Sequence, residues 1–280
     1  MISIDVEEWY HSKWFDLEKM GFTASDFPSD LPHMIDKLIT LFDNYSIPAT
    51  FFTLIESLNN HPHILDKIIN THHEIGLHGV EHKGITSLGE EEFKKQIRYG
   101  KQKLDQLTKF EIIGYRAPNQ EISEEAFEIL SDENFRYDSS IVPCHKIPGW
   151  YGSPESPLHP YIYPSSSESL KKEPFIEFPI AVFPQLKLPG GGGWYLRNVG
   201  YNWVKLTLDR LLDKEKFAVF YLHPWEISDR NPNISGIPFH VFRHTGEWCF
   251  NALESLIKHF ERKASIKTFK QCIEEGLIHG

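Results

Sequence analysis

Cysteine is scarce: Cys144, Cys249 and Cys272 are the three thiols in 280 residues. An odd number at scattered spacings is neither a disulfide framework nor a zinc ribbon, and it fits a reducing, cytoplasmic setting. Long apolar runs are also lacking, and none approaches the roughly 20 residues of a membrane-spanning helix. The first residues, MISIDVEEWYH, have no basic segment followed by a long apolar core, so they read as a strand rather than a secretory leader. Positive charge is in deficit, with 29 Lys and Arg against 39 Asp and Glu and a formal net charge of −10. A phosphate-tracking surface is therefore not expected, nor nucleic acid as a partner. No Gly-x-Ser-x-Gly elbow supplies a serine nucleophile. The glycine run at 190–193 is not followed by the Lys-Ser/Thr of a phosphate loop.

What is present suits a large core, with 40% hydrophobic and 14% aromatic residues. No internal repeat and no break in composition marks a boundary, and α/β barrels reach about 250 residues in one piece. Residues 1–280 are accordingly expected to form a single catalytic domain. Short β-rich runs alternate with amphipathic stretches, the pattern of parallel βα units. Strands are expected at 2–5, 49–54, 74–78, 112–116, 135–139, 175–182, 217–223 and 265–269. Helical periodicity covers 34–45, 64–70, 90–107, 124–130, 200–212 and 247–262. Ser123 and Ser87 read as helix starts, the latter with Glu90 at capping-box spacing. The stretch 143–174, dense in Pro, Ser, Tyr and Trp, is expected to be a long loop insertion over the site. The glycines at 190–193 would permit positive φ or close approach to a ligand.

Residues capable of chemistry recur at the carboxyl ends of the expected strands, where a parallel barrel gathers its active site. They are Asp5 and Glu7, His78 and His82, Arg116, Asp138 and His223. His78 and His82 could clasp one divalent metal, although an H-x-x-x-H pair arises about once by chance at this histidine content. A second such pair, His240 and His244, reads as surface histidines near a helix start. His72 and His73 have no partner at useful spacing. A carboxylate beside two imidazoles leaves coordination positions open for water and substrate, and a neighbouring carboxylate could take a proton from that water. Arg116, just before Pro118, could orient a catalytic carboxylate through a bidentate pair. His223 is either a satisfied core histidine or a proton donor to a leaving amine. Asp138 divides evenly between capping a turn and serving the site. Trp9, Tyr10, Trp150, Tyr151, Trp194, Tyr195 and Trp225 flank these motifs, and aromatic faces with polar handles suit sugar rings.

In order along the chain stand SIDVEEWYH, ATFFTLIESLNNHPHILDKI, HEIGLHGVEHKGITSL, GYRAPNQEIS, FRYDSSIVP, GGGGWYLR, FYLHPWEI and FRHTGEW. Together they resemble the polysaccharide deacetylase family, the NodB-homology carbohydrate esterases, in the branch associated with exopolysaccharide and surface-glycan gene clusters. The resemblance implies a distorted (β/α) barrel of about seven parallel strands. It also implies a metal-dependent N-deacetylase of amino sugars in surface polysaccharide biosynthesis (exopolysaccharide, capsule or lipopolysaccharide). In that reading His78 and His82 bind the metal, Asp5 is the base, Arg116 tethers it, and His223 is the general acid. A backbone N–H near Asn119 would hold the oxyanion. Many members carry adjacent aspartates in the first motif, whereas this chain has Asp5-Val6-Glu7. Glu7 is therefore the expected carboxylate ligand and Asp5 its rival. The implied cofactor is one divalent ion, Zn²⁺ first, with Co²⁺, Ni²⁺ or Fe²⁺ as alternatives. The implied substrate is an N-acetylated amino sugar, free, lipid-linked or nucleotide-linked, and a homo-oligomer is left open. Competing readings are an amidase or deformylase acting on another small amide, and a non-catalytic glycan-binding member of the fold.

Overall fold

The computed structural model describes residues 1–164, 173–232 and 234–278. The strands are β1 (Ile2–Val6), β2 (Thr50–Thr53), β3 (Glu74–Leu77), β4 (Gly114–Tyr115), β5 (Tyr137–Asp138), β6 (Tyr161–Ile162), β7 (Ile176–Glu177), β8 (Val182–Phe183), β9 (Leu188–Pro189) and β10 (Phe220–Leu222). Eight of them form one sheet in the order β10-β1-β2-β3-β4-β5-β7-β6. Seven run parallel, and β6 joins antiparallel at the edge. This is the distorted barrel expected from the sequence, curled but with two edges. At the β10 edge the chain around the β8–β9 hairpin lies alongside, through a Gly192–Tyr221 bridge and an Ala181 N–H to Val219 O bond of 3.0 Å.

The apolar runs decide which strands lie deepest. β2 and β3 are buried throughout, as parallel strands covered on both faces must be. Helix Leu31–Asn44 turns Leu31, Met34, Ile35, Leu38, Leu41 and Phe42 inward, a three-and-four spacing that makes one apolar stripe. Helix Glu90–Thr108 does the same with Phe93, Ile97 and Leu104.

Several local expectations are corrected. Residues 265–268 are not a strand; Thr268 instead caps helix Phe269–Glu274, its hydroxyl accepting the Gln271 N–H. The run 175–182 is not one strand but contributes to β7 and β8 separately. Ser87 starts no helix: it lies inside the short helix Ile85–Leu88, and the next helix begins after Gly89 at φ 75°. Ser123 does cap helix Glu124–Asp132, accepting the Ala126 N–H. Part of the expected insertion, 165–172, lies outside the described residues; its described part supplies β6 and otherwise runs through turns and bends. The glycines at 190–193 do not have positive φ. They serve close packing within the protein: a Cβ on Gly191 would stand 2.7 Å from Ala181 N, and one on Gly192 2.8 Å from the Tyr221 ring.

Gly76 ties the sheet to the site. It sits opposite Phe52 in register, and a Cβ there would stand 2.6 Å from the Phe52 ring. That same ring lies 4.4 Å beneath the Arg116 guanidinium. Gly76→Ala is expected to destabilise the fold by about 1–3 kcal/mol through overpacking, read as a lower urea midpoint with an unchanged slope. An unchanged midpoint would show that Phe52 yields at no cost.

Candidate active site

The carboxyl ends of β1, β3, β4 and β10 deliver the polar residues to one place. Asp5 lies near the end of β1, His78 follows β3, Arg116 follows β4, and His223 follows β10. After Val6, which is buried in the core, Glu7 N–H returns to Asp5 O at 2.9 Å. This tight three-residue turn lets both carboxylates of Asp5-Val6-Glu7 face the same cavity.

Glu7 is the hub. Its Oε2 contacts His82 Nε2 and stands 3.5 Å from His78 Nε2, while Oε1 is 3.4 Å from His223 Nε2. One atom from each of Glu7, His78 and His82 lies within 4.8 Å of the others. His78 Nδ1 is 2.8 Å from the Arg116 carbonyl, so it carries the ring proton and leaves Nε2 with a lone pair toward the carboxylate. A lone pair and a buried carboxylate oxygen facing each other call for a cation between them. Burial alone would raise the Glu7 pKa, but the His82 and His223 imidazoles hold it well below the usual carboxylate range. The His82 pKa is lowered as well, by burial, although Glu7 works against that shift.

Asp5 Oδ1 accepts Arg116 Nη1–H at 2.9 Å, and Asp5 Oδ2 is buried with no hydrogen bond. Arg116 is itself wholly buried and also donates to Ser3 Oγ (2.6 Å), Ser139 O (2.7 Å) and Ser139 Oγ (2.7 Å). The expected pairing of arginine with carboxylate is present, though through one nitrogen rather than bidentate.

His223 is no core histidine satisfied by backbone. Its Nδ1 lies 3.1 Å from Glu226 Oε2, because Pro224–Ile227 forms a 3₁₀ turn that brings residues three apart together. Glu226 Oε1 accepts Arg197 Nε–H at 2.7 Å, and Arg197 Nη1 donates to the Val241 and Arg243 carbonyls. Against the cost of burial, the Glu7, Glu226 and Asp5 carboxylates push the His223 pKa up to about 9, while Arg197 and His223 bring Glu226 down to about 2.

These groups border a cavity of about 60 Å³ whose mouth carries Trp14, Trp150 and Trp194. Trp14 meets Trp150 edge to face at 5.0 Å, and Trp150 meets Trp194 at 6.4 Å. A larger apolar cavity of about 800 Å³, bordered by Met1, Phe217 and Phe260, contains none of the gathered residues. Size does not mark the site here; chemistry does. Of the other flanking aromatics, Trp9 and Trp225 pack in a small core with Val241, and the Tyr151 and Tyr195 hydroxyls bond each other at 2.7 Å.

Other candidates stand apart. His240 Nδ1 accepts Trp194 Nε1–H, and His244 Nδ1 lies 2.9 Å from Arg197 O, so this histidine pair shares no ligand position. Asp138 accepts the N–H and hydroxyl of Ser140, the turn-capping role. His72 and His73 do have a partner, contrary to expectation: Asp43 from helix Leu31–Asn44, at 3.7 and 3.9 Å. His73 Nδ1 accepts the Ala49 N–H, so its Nε2 bears the proton toward Asp43 and is no metal donor. Glu226, Arg197 and Trp14 also border the site cavity, although the sequence pattern does not single them out. The His223-Pro-x-Glu226 spacing, with the proline opening the turn, is the one local signal that points to Glu226.

Residues 18–137 match the family described as polysaccharide deacetylase, and residues 139–272 match a domain of unknown function (DUF3473). A peptidoglycan-N-acetylglucosamine deacetylase of Bacillus cereus is 31% identical over 124 residues, 43% of this chain and 43% of that protein. A peptidoglycan deacetylase of Helicobacter pylori is 29% identical over 108 residues, 39% of this chain and 37% of that one. The chain thus spans less than half the length of these curated relatives. In fold it is similar to a Mycobacterium smegmatis structure provisionally named a polysaccharide deacetylase (TM-score 0.62, 18% identity, covering 86% of this chain and 76% of that one). It is also similar to a PuuE allantoinase (TM-score 0.61, 15% identity, 86% and 71%). Over residues 18–137, the stretch that holds His78, His82 and Arg116, the chain is thus similar to the polysaccharide deacetylase family.

Proposed function

We propose that this protein is a metal-dependent N-deacetylase that removes acetyl from an amino sugar of a surface polysaccharide. One observation carries the reading: a tethered carboxylate with an uncommitted oxygen, Asp5, and a carboxylate-oriented imidazole, His223, border the same cavity as Glu7, His78 and His82.

Glu7, His78 and His82 would hold one divalent ion. The donor set, two imidazoles and one carboxylate, suits Zn²⁺, with Co²⁺, Ni²⁺ or Fe²⁺ as alternatives. When bound, such an ion supplies Lewis-acid polarisation of an amide carbonyl and of a water molecule. Asp5 Oδ2 takes a proton from the attacking water, while Arg116 keeps Oδ1 in place. As the C–N bond breaks, His223 gives a proton to the departing amine, and Glu226 holds the ring in the orientation to do so. The acyl group leaves as acetate, and atoms and charge balance without a covalent intermediate.

The cavity also constrains the substrate. Its narrow interior, about 60 Å³, suits entry of the acetyl group ahead of the sugar ring. The ring would remain at the mouth against Trp14, Trp150 and Trp194, which suits a carbohydrate face.

His78→Ala/His82→Ala is expected to lose its zinc on dialysis, read by elemental analysis, and acetate release with it; wild-type metal content would place the ion elsewhere. His223→Gln should lower kcat about 10²- to 10⁴-fold with little change in KM, and Glu226→Gln should lose less. Chelation should abolish acetate release from N-acetylated oligosaccharides and added Zn²⁺ restore it. Equal turnover of a sugar-free N-formyl amide would favour a general amidase instead.

A further inference from the structure

Asp138 and Glu177 face each other in register on β5 and β7, and both are wholly buried. Two adjacent carboxyls in a low-dielectric interior do not both ionise. Three of their four oxygens have donors. Asp138 Oδ1 accepts the Ser140 N–H at 2.8 Å, Asp138 Oδ2 the Ser140 hydroxyl at 2.7 Å, and Glu177 Oε1 the Ile141 N–H at 2.9 Å. Glu177 Oε2 has none, which makes it the atom to carry a proton, directed to Asp138.

The link to the site runs through Ser140, whose Oγ accepts the Ala117 N–H at 2.8 Å. Ala117 follows Arg116. The Arg116 guanidinium holds Asp5, and its carbonyl accepts the His78 Nδ1 proton. One short segment thereby sets both the proposed base and a proposed metal ligand, and Asp138 fixes that segment.

We propose that Asp138 and Glu177 share one proton and form a positioning unit that pins residues 116–117, and through them Asp5 and His78. The positioning role rests on the function proposed above; the shared proton does not. The groups facing the pair are Arg116, Tyr115, Tyr137 and Tyr161. Arg116 draws both carboxyls down and the tyrosines stay neutral, but burial holds Asp138 above its ordinary value, and burial together with the neighbouring Asp138 holds Glu177 well above its own.

A raised folded-state pKa means that this proton's contribution to stability is complete below the unfolded value of about 4.5 and is lost as pH rises through the folded value. Glu177→Gln presents an amide N–H where the shared proton stood and has nothing to lose. Wild type is therefore expected to fall in Tm relative to Glu177→Gln as pH rises from about 5 to 9, while the two match in metal affinity and kcat near pH 6. Asp138→Asn turns the charge into an amide against Ser140. It is expected to weaken Zn²⁺ or Co²⁺ affinity about 10-fold or more, alter the Co²⁺ visible spectrum, and lower kcat with KM little changed. A Tm difference between wild type and Glu177→Gln that is flat with pH would overturn the shared proton. Asp138→Asn protein with wild-type metal affinity and spectrum would overturn the positioning role. If wild type itself binds no metal, the proposed function fails, and the pH comparison still decides the proton.

Discussion

The buried guanidinium of Arg116 is the constraint on which the rest depends. Arginine cannot shed its charge inside a protein, so its burial requires fixed acceptors and an ionised partner. Asp5 supplies the negative charge, Ser3 and Ser139 supply oxygens, and Phe52 and Tyr221 lend their ring faces at 4.4 and 5.4 Å. Leaving such a charge unpaired would cost on the order of 3–5 kcal/mol. The ends of β1, β4 and β5 are consequently locked to one another by the same contacts that orient the proposed base. Folding and the geometry of the proposed site are one requirement here.

Much of this was legible in the sequence because it is local. The alternation of β-rich and amphipathic runs located every strand from β1 to β5, and the strand-end rule drew Asp5, Glu7, His78, His82, Arg116 and His223 together. What escaped notice depends on tertiary context. Asp43 meets His72 and His73 only because helix Leu31–Asn44 lays its end beside the start of β3. Arg197 looks like a surface cation until Glu226 lies over Gly193. The stretch 265–269 has strand-like residues, yet the Thr268 cap outweighs that preference. Gly89, not Ser87, starts the longest helix, since its φ of 75° turns the chain in a way a serine resists.

The two family matches divide the sequence, but the site does not respect that division. The amino-terminal residues before 18 bring Asp5 and Glu7, the stretch 18–137 brings His78, His82 and Arg116, and the stretch 139–272 brings Arg197, His223 and Glu226. The region of unknown function therefore contributes the side of the cavity where a leaving amine would be protonated, together with Trp150 and Trp194 at its mouth. In the proposed reading its contribution is to the chemistry as well as to the scaffold.

That β10 pairs with β1 has a consequence in time. A ribosome delivers β1 first and β10 more than two hundred residues later, so through most of synthesis β1 has only β2 as a neighbour and Asp5 waits without His223. The proposed acid and base become companions only when β10 docks. A chain cut short before residue 220 thus leaves β1 at the sheet edge and the candidate site without His223 and Glu226, so the proposed chemistry would wait on the synthesis of β10 and the turn after it.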